Sequence, residues 1–171
     1  MAPAVPAHDG PAALVVRCVG GSGATTLTTA LVRVGVLAVE REVHHGAARD
    51  VVLVTRSTAA GLHRAVLRTQ ALLREPAVRV HLAVVADGVG PMPLAARARL
   101  RSLRPHMASV TTVPYVARWR YVDEDTNRPL PADYERALHR IAAALDHPRD
   151  SPGAARSSGS GAQPAREDVP A

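Results

Sequence analysis

The chain has 171 residues, 47% of them hydrophobic, and a formal charge of +6, so it can bury one sizeable core, and its length favours a single domain. One cysteine, Cys18, excludes a disulfide framework and a cysteine-based metal site. No run approaches the roughly 18 apolar residues of a membrane span, and "MAPAVPAHDGPA" lacks the basic start and apolar run of a signal peptide, which together predict a cytoplasmic protein.

All 21 basic residues are arginine, and lysine and phenylalanine are absent, a bias that points to a GC-rich bacterial genome. The charge permits contact with nucleic acid or anionic lipid, but the arginines are spread along the chain, which favours an ordinary solvated surface. Residues 1–12 and the Ser, Gly and Pro-rich tail 148–171 offer too little apolar surface to offset the entropy of ordering and are predicted flexible. The folded part is then 13–147.

"ALVVRCV" (Ala13 to Val19) predicts a buried strand. Gly20, Gly21, Ser22 and Gly23 follow and lead into a helix starting near Thr25. Such a loop turns main-chain N–H groups toward one point, and the helix dipole favours an anion there. Thr25 stands where a phosphate loop's hydroxyl meets Mg²⁺, and Thr26 where a second hydroxyl donates to phosphate. Ala24 occupies the position of the usual lysine. The next stretch, "VRVGVLAVEREVHHGAARD", has no apolar run ending cleanly in aspartate, so no metal-positioning carboxylate is predicted; Asp50 precedes its strand and belongs to the opposite edge. His44 and His45 are adjacent and would face different ways, as solvated loop residues do.

"VVLVT" (Val51 to Thr55) is the second strand, with Arg56 and Ser57 at its carboxyl end, where it can supply the charge the loop lacks. The following segment carries Leu62, Ala65, Val66, Thr69, Leu72 and Leu73 on one stripe, an amphipathic helix. "VHLAVVA" (Val80 to Ala86) is the third strand, followed by Asp87 and Gly88. A helix begins at Pro93 and aligns Arg97, Arg101 and Arg104, a face able to track DNA phosphates or simply to be solvated. "VTTVPYV" (Val110 to Val116) is a weaker strand, because Pro114 donates no ladder hydrogen bond. Tyr115, Trp119 and Tyr121 lie beside Arg118 and Arg120, suited to stacking on a base, anchoring a partner through Arg118 and Trp119, or packing in the core. "DED" at Asp123 to Asp125 reads as a charged turn, and a last helix follows Pro131. The order is strand, helix, four times over: an α/β fold with a mostly parallel sheet of about four or five strands and crossover helices.

"VGGSGATTLTTAL" resembles the opening of the MinD/ParA class of deviant P-loop ATPases, including the TadZ and CpaE branch. "DVVLVTRSTAAGLHRA" and "TTVPYVARWRYVDEDTNRPLPADYERALHRIAAAL" are similar to later segments of that class. The lysine-less loop combined with "VVADG.G.MP" and "VPYV..WR" is closer still to an actinobacterial family described as a domain of unknown function. The likeness covers most of 13–145 and implies a reduced P-loop NTPase-like domain. It also implies phosphate contact by Gly20, Gly21, Gly23, Thr25 and Thr26, with Ser22 and Ala24 in the same loop and Asp87 near the base. The chain departs from that class at Val19 and Ala24, where lysines are expected, and in the strands bearing two metal-side aspartates.

The expected function is therefore a degenerate nucleotide-binding module, binding ATP or GTP with Mg²⁺ weakly or no cofactor at all, acting through a protein partner and open to homodimerisation. One alternative is an active NTPase using Arg56; another is a DNA- or protein-binding module independent of nucleotide. A dinucleotide site, with Gly21, Gly23 and Thr26 mimicking G-x-G-x-x-G and Glu40 on the ribose, would require a short helix and a strand through "VGVLAVE" with no evident turn between them. A glycine turn without any ligand is the plain alternative.

Overall fold

The computed structural model describes residues 12–41, 49–75, 78–120 and 129–146, apart from the side chains of Arg118 and Arg120. Residues 1–11 and 147–171, His44, His45, Tyr121 and Asp123 to Asp125 lie outside the described residues, as does the side-chain role expected of Arg118.

Five strands form the sheet: β1 (Ala12–Arg17), β2 (Leu37–Arg41), β3 (Asp50–Arg56), β4 (Arg79–Val85) and β5 (Ser109–Val113). They pair in parallel throughout, in the order β2-β1-β3-β4-β5. Four helices, α1 (Ala24–Arg33), α2 (Ala59–Leu72), α3 (Leu94–Leu103) and α4 (Ala132–Asp146), accompany them, with short 3₁₀ turns at Arg104–His106 and Ala117–Arg120. This is the expected α/β architecture with crossover helices. None of the described helices is long and apolar enough to cross a membrane.

Side chains alternate between sheet faces, so a strand covered on both sides must be apolar at every position. β3 does this with Val51, Val52, Leu53 and Val54, all at most 1% exposed. On one face Val15, Val52, Val54 and Ala83 pack against Leu27 and Leu31 of α1 and Leu138 and Ile141 of α4. On the other, Val16, Val51, Leu53 and Leu82 meet Leu62, Ala65 and Leu72 of α2 and Leu103 of α3. Of the stripe expected on α2, Val66 is half-buried and Leu73 lies past the helix end, half exposed.

The main correction to the sequence reading is β2, a strand inside the stretch that looked continuous. Gly35 adopts φ +87°, its N–H donates to the Val32 carbonyl at 3.1 Å, and the Val36 N–H reaches back to the Leu31 carbonyl at 3.1 Å. These two bonds form a Schellman cap, which ends α1 in one residue and frees the chain to turn into β2. As an edge strand β2 buries Ala38 and leaves Leu37 and Val39 about half exposed. β5, the opposite edge, stops at Val113, so Pro114 is never asked for a ladder hydrogen bond.

The strand order positions the site. From β1 the chain moves outward to β2, then returns to place β3 on β1's other side. At such a reversal the loops after the two central strands diverge to opposite faces, leaving a crevice beyond their carboxyl ends.

Candidate functional site

The crevice lies between the loop leaving β1 and the end of β3. The Cys18 N–H still bonds the Val54 carbonyl at 2.9 Å, after which the chain curls through Gly20 to Gly23. Gly21 and Gly23 take φ +65° and +81°, conformations costly to any residue with a Cβ. Gly23 is the N-cap of α1 and has no side chain to cap with, and no acidic residue occupies the first turn. The bond from the Leu27 N–H to the Gly23 carbonyl, 2.9 Å, is the first of the helix. The amides of Ala24, Thr25 and Thr26 therefore have no intrahelical acceptor and mark the positive end of the dipole.

The glycine loop and Thr26 border a cavity of about 160 Å³, lined by Gly21, Ser22, Gly23 and Thr26 on one side and by Arg56, Val85, Asp87, Pro114, Tyr115, Trp119 and Tyr134 on the other. Ser22 is 3% exposed, and among the described residues its buried hydroxyl, like those of Thr55 and Thr69, has no hydrogen-bond partner.

Arg56 spans the crevice. Its Nε donates to the Gly21 carbonyl at 2.7 Å and its Nη1 donates to Asp87 Oδ1 at 2.7 Å. Asp87 is fixed in turn, its N–H donating to Ser57 Oγ at 2.9 Å. The ends of β3 and β4 are thus clasped to the β1 loop. Because the Arg56 and Asp87 side chains are 38% and 40% exposed, the ion pair itself adds little stability; its effect is to orient the guanidinium.

The far wall is aromatic. Trp119 meets Tyr134 edge to face, with centroids 4.7 Å apart and planes at 70°, and packs against the α1/α4 core. Burial pushes the Tyr134 phenol well above its ordinary pKa, so it stays protonated. Trp119 therefore both packs against the core and lines the cavity.

On the β2 side, Thr25 Oγ1 donates to Glu40 Oε2 at 2.8 Å. Glu40 sits near the carboxyl end of β2, next to β1, through the pairing of Val15 with Glu40. This supplies a carboxylate beside the loop where the sequence predicted none. A hydroxyl and a carboxylate are the ligand types Mg²⁺ takes when most of its shell is phosphate and water. Among the described residues no group of three or more His, Cys, Asp or Glu could hold a metal unaided.

Of the residues singled out in the sequence, Gly21, Ser22, Gly23, Thr26, Arg56, Asp87, Tyr115 and Trp119 converge on the cavity. Gly20, Ala24 and Thr25 do not line it. The Ala24 methyl is buried in the core with Leu27, leaving only its amide for a ligand. Arg97, Arg101 and Arg104 are exposed on and just after α3 and take no part in the cavity. Tyr134 and Val85 were missed because each belongs to an apolar stripe. Glu40 enters the sequence reading only as a ribose ligand, and the helix-ending Gly35 five residues before it is the available signal.

No known family model matches the chain, and no curated protein does.

Proposed function

We propose that the carboxyl edge of the sheet binds the phosphate of a nucleotide, and that the protein acts as a non-hydrolysing regulatory or interaction module. The observation that carries this reading is the oriented Arg56 guanidinium facing the uncapped N-terminus of α1 across one cavity. The main-chain amides supply directional donors, Arg56 supplies the cation that Ala24 does not, and the aromatic wall suits a base. When bound with the nucleotide, Mg²⁺ would neutralise phosphate charge, with Thr25 and Glu40 as its protein ligands.

The test is calorimetry with ATP and GTP, with and without Mg²⁺, on the wild type and Arg56→Ala. A hydrogen bond to a charged group is worth about 1.5–3 kcal/mol, so the variant should bind about tenfold to a hundredfold more weakly. Unchanged affinity would remove Arg56 from the site. Absence of binding by the wild type would return the function to a nucleotide-independent surface, with Arg97, Arg101 and Arg104 the first face to test for salt-dependent DNA binding.

A second reading gains support from Glu40. The short helix and following strand that a dinucleotide site requires are both present, and an acidic residue at the end of the second strand is where a ribose hydroxyl is held in such sites. Binding of a pyrophosphate-linked dinucleotide, weakened by Glu40→Gln and indifferent to Mg²⁺, would favour it over the Mg²⁺-triphosphate reading.

A further inference from the structure

We infer that the cavity selects phosphate esters carrying one charge per phosphate, such as phosphodiesters and pyrophosphate diesters, over ligands ending in a doubly charged terminal phosphate, and that Asp87 enforces the choice. The inference rests on the phosphate-binding reading and specifies the ligand class that the site accepts.

Among the described residues, the charged side chains lining the cavity are Arg56 and Asp87. They are bonded to each other at 2.7 Å, so the wall is neutral in sum. The other flank of the loop carries a second carboxylate, Glu40, held on Thr25. Against this, the N-terminus of α1 contributes the equivalent of about half a positive charge.

Arg56 remains a competent ligand in this setting. A guanidinium has five N–H groups, and the described contacts of Arg56 engage Nε and one N–H of Nη1. The others can reach two oxygens of one phosphate, and the loop amides can meet the remainder. One negative charge is accommodated in this way. A terminal phosphate, whose second ionisation has a pKa of about 6, brings a second charge beside Asp87, with Glu40 on the other flank of the loop, where without a metal ion no further cation among the described side chains offsets it. The carboxylate that orients Arg56 is thus the group that rejects the dianion.

ADP-ribose and ADP form the discriminating pair of probes, since both contain adenosine and two phosphates and the ester on the β-phosphate removes the second ionisation. Trp119, the sole tryptophan, lines the cavity and reports occupancy by fluorescence. In metal-free buffer at pH 7.5 the wild type should bind ADP-ribose about tenfold more tightly than ADP, the ratio expected of one unoffset charge near a partly exposed carboxylate. That ratio should fall toward one in Asp87→Asn, through tighter ADP binding. It should also fall in the wild type at pH 5, where the ADP terminal phosphate is singly charged.

The pH arm needs no variant, so it decides the matter even if Asp87→Asn does not fold. ADP binding as tightly as ADP-ribose at pH 7.5, or a ratio insensitive to pH, overturns the selectivity and leaves phosphate binding standing. If neither probe binds, the phosphate-binding reading fails and the selectivity fails with it.

Discussion

Ala24 and Arg56 define the site at the scale of single residues. With its methyl in the core, Ala24 turns no side chain toward the crevice, while Arg56 approaches from a different strand and is held by the Gly21 carbonyl and Asp87. A chain without lysine has in this way a cation beside its glycine loop, though a tethered one. Cys18, immediately before the loop, is buried and serves packing rather than chemistry. Burial pushes its thiol up to about 12, against a smaller lowering by the nearby Arg68 charge. The thiolate is the reactive form, so native protein at pH 8 should resist a thiol-specific chromogenic reagent and react fully once unfolded. The sign of the linkage also follows. A raised folded pKa means the unfolded chain ionises first, so this contribution to stability is complete below about 8.5 and is lost as pH climbs toward about 12. Rapid labelling of the native protein at pH 8 would show that the thiol is not sequestered.

At the scale of elements, the ends of helices decide the geometry. α2 starts with Thr58 as N-cap, its hydroxyl accepting from the Gly61 N–H at 3.0 Å. A Cβ at Gly61 would lie 2.6 Å from the Arg56 carbonyl and 2.9 Å from Thr55 Oγ1, so only glycine lets α2 sit this close to the end of β3. Gly61→Ala must push the helix away from backbone atoms. It should destabilise the fold by about 1–3 kcal/mol, seen as a lower urea midpoint, and should weaken ligand binding through the displaced Arg56. A variant with unchanged midpoint would mean that β3 and α2 are looser than their contacts imply. The same scale explains how β2 escaped the sequence reading. From Val32 to Ala38 the sequence shows no evident turn between helix and strand, and only the Gly35 cap divides them. Periodicity cannot separate a helix end from a strand start when valine serves both.

Across the whole molecule, the sheet has two polar edges with different roles. At the amino edge, Asp50 accepts from Arg79 Nη2 at 2.6 Å and pairs with His81 Nε2 at 2.9 Å, while His81 Nδ1 meets Ser109 Oγ at 2.8 Å. Asp50 and His81 are 7% and 2% exposed, so this row ties β3, β4 and β5 together inside the core rather than facing a ligand. Removing Asp50 deletes the acceptor that both β4 side chains share. Asp50→Ala should therefore cost about 1.5–3 kcal/mol in chemical unfolding and, on the phosphate-binding proposal, should leave affinity at the opposite edge unchanged; a large loss of affinity would mean that the two edges are coupled.

The valine-rich runs, the prolines near the starts of α3 and α4 and the glycine loop determined by themselves that the chain forms a parallel α/β sheet and that its candidate site lies after β1, because strand burial and helix starts depend on neighbours in sequence. The tertiary structure alone decided that β2 lies beside β1, that Arg56 reaches Gly21 and Asp87, and that Glu40 reaches Thr25. Those contacts join residues 15 to 35 positions apart. Strand order fixes them, and no local pattern of hydrophobicity or turn chemistry encodes which strand lies next to which.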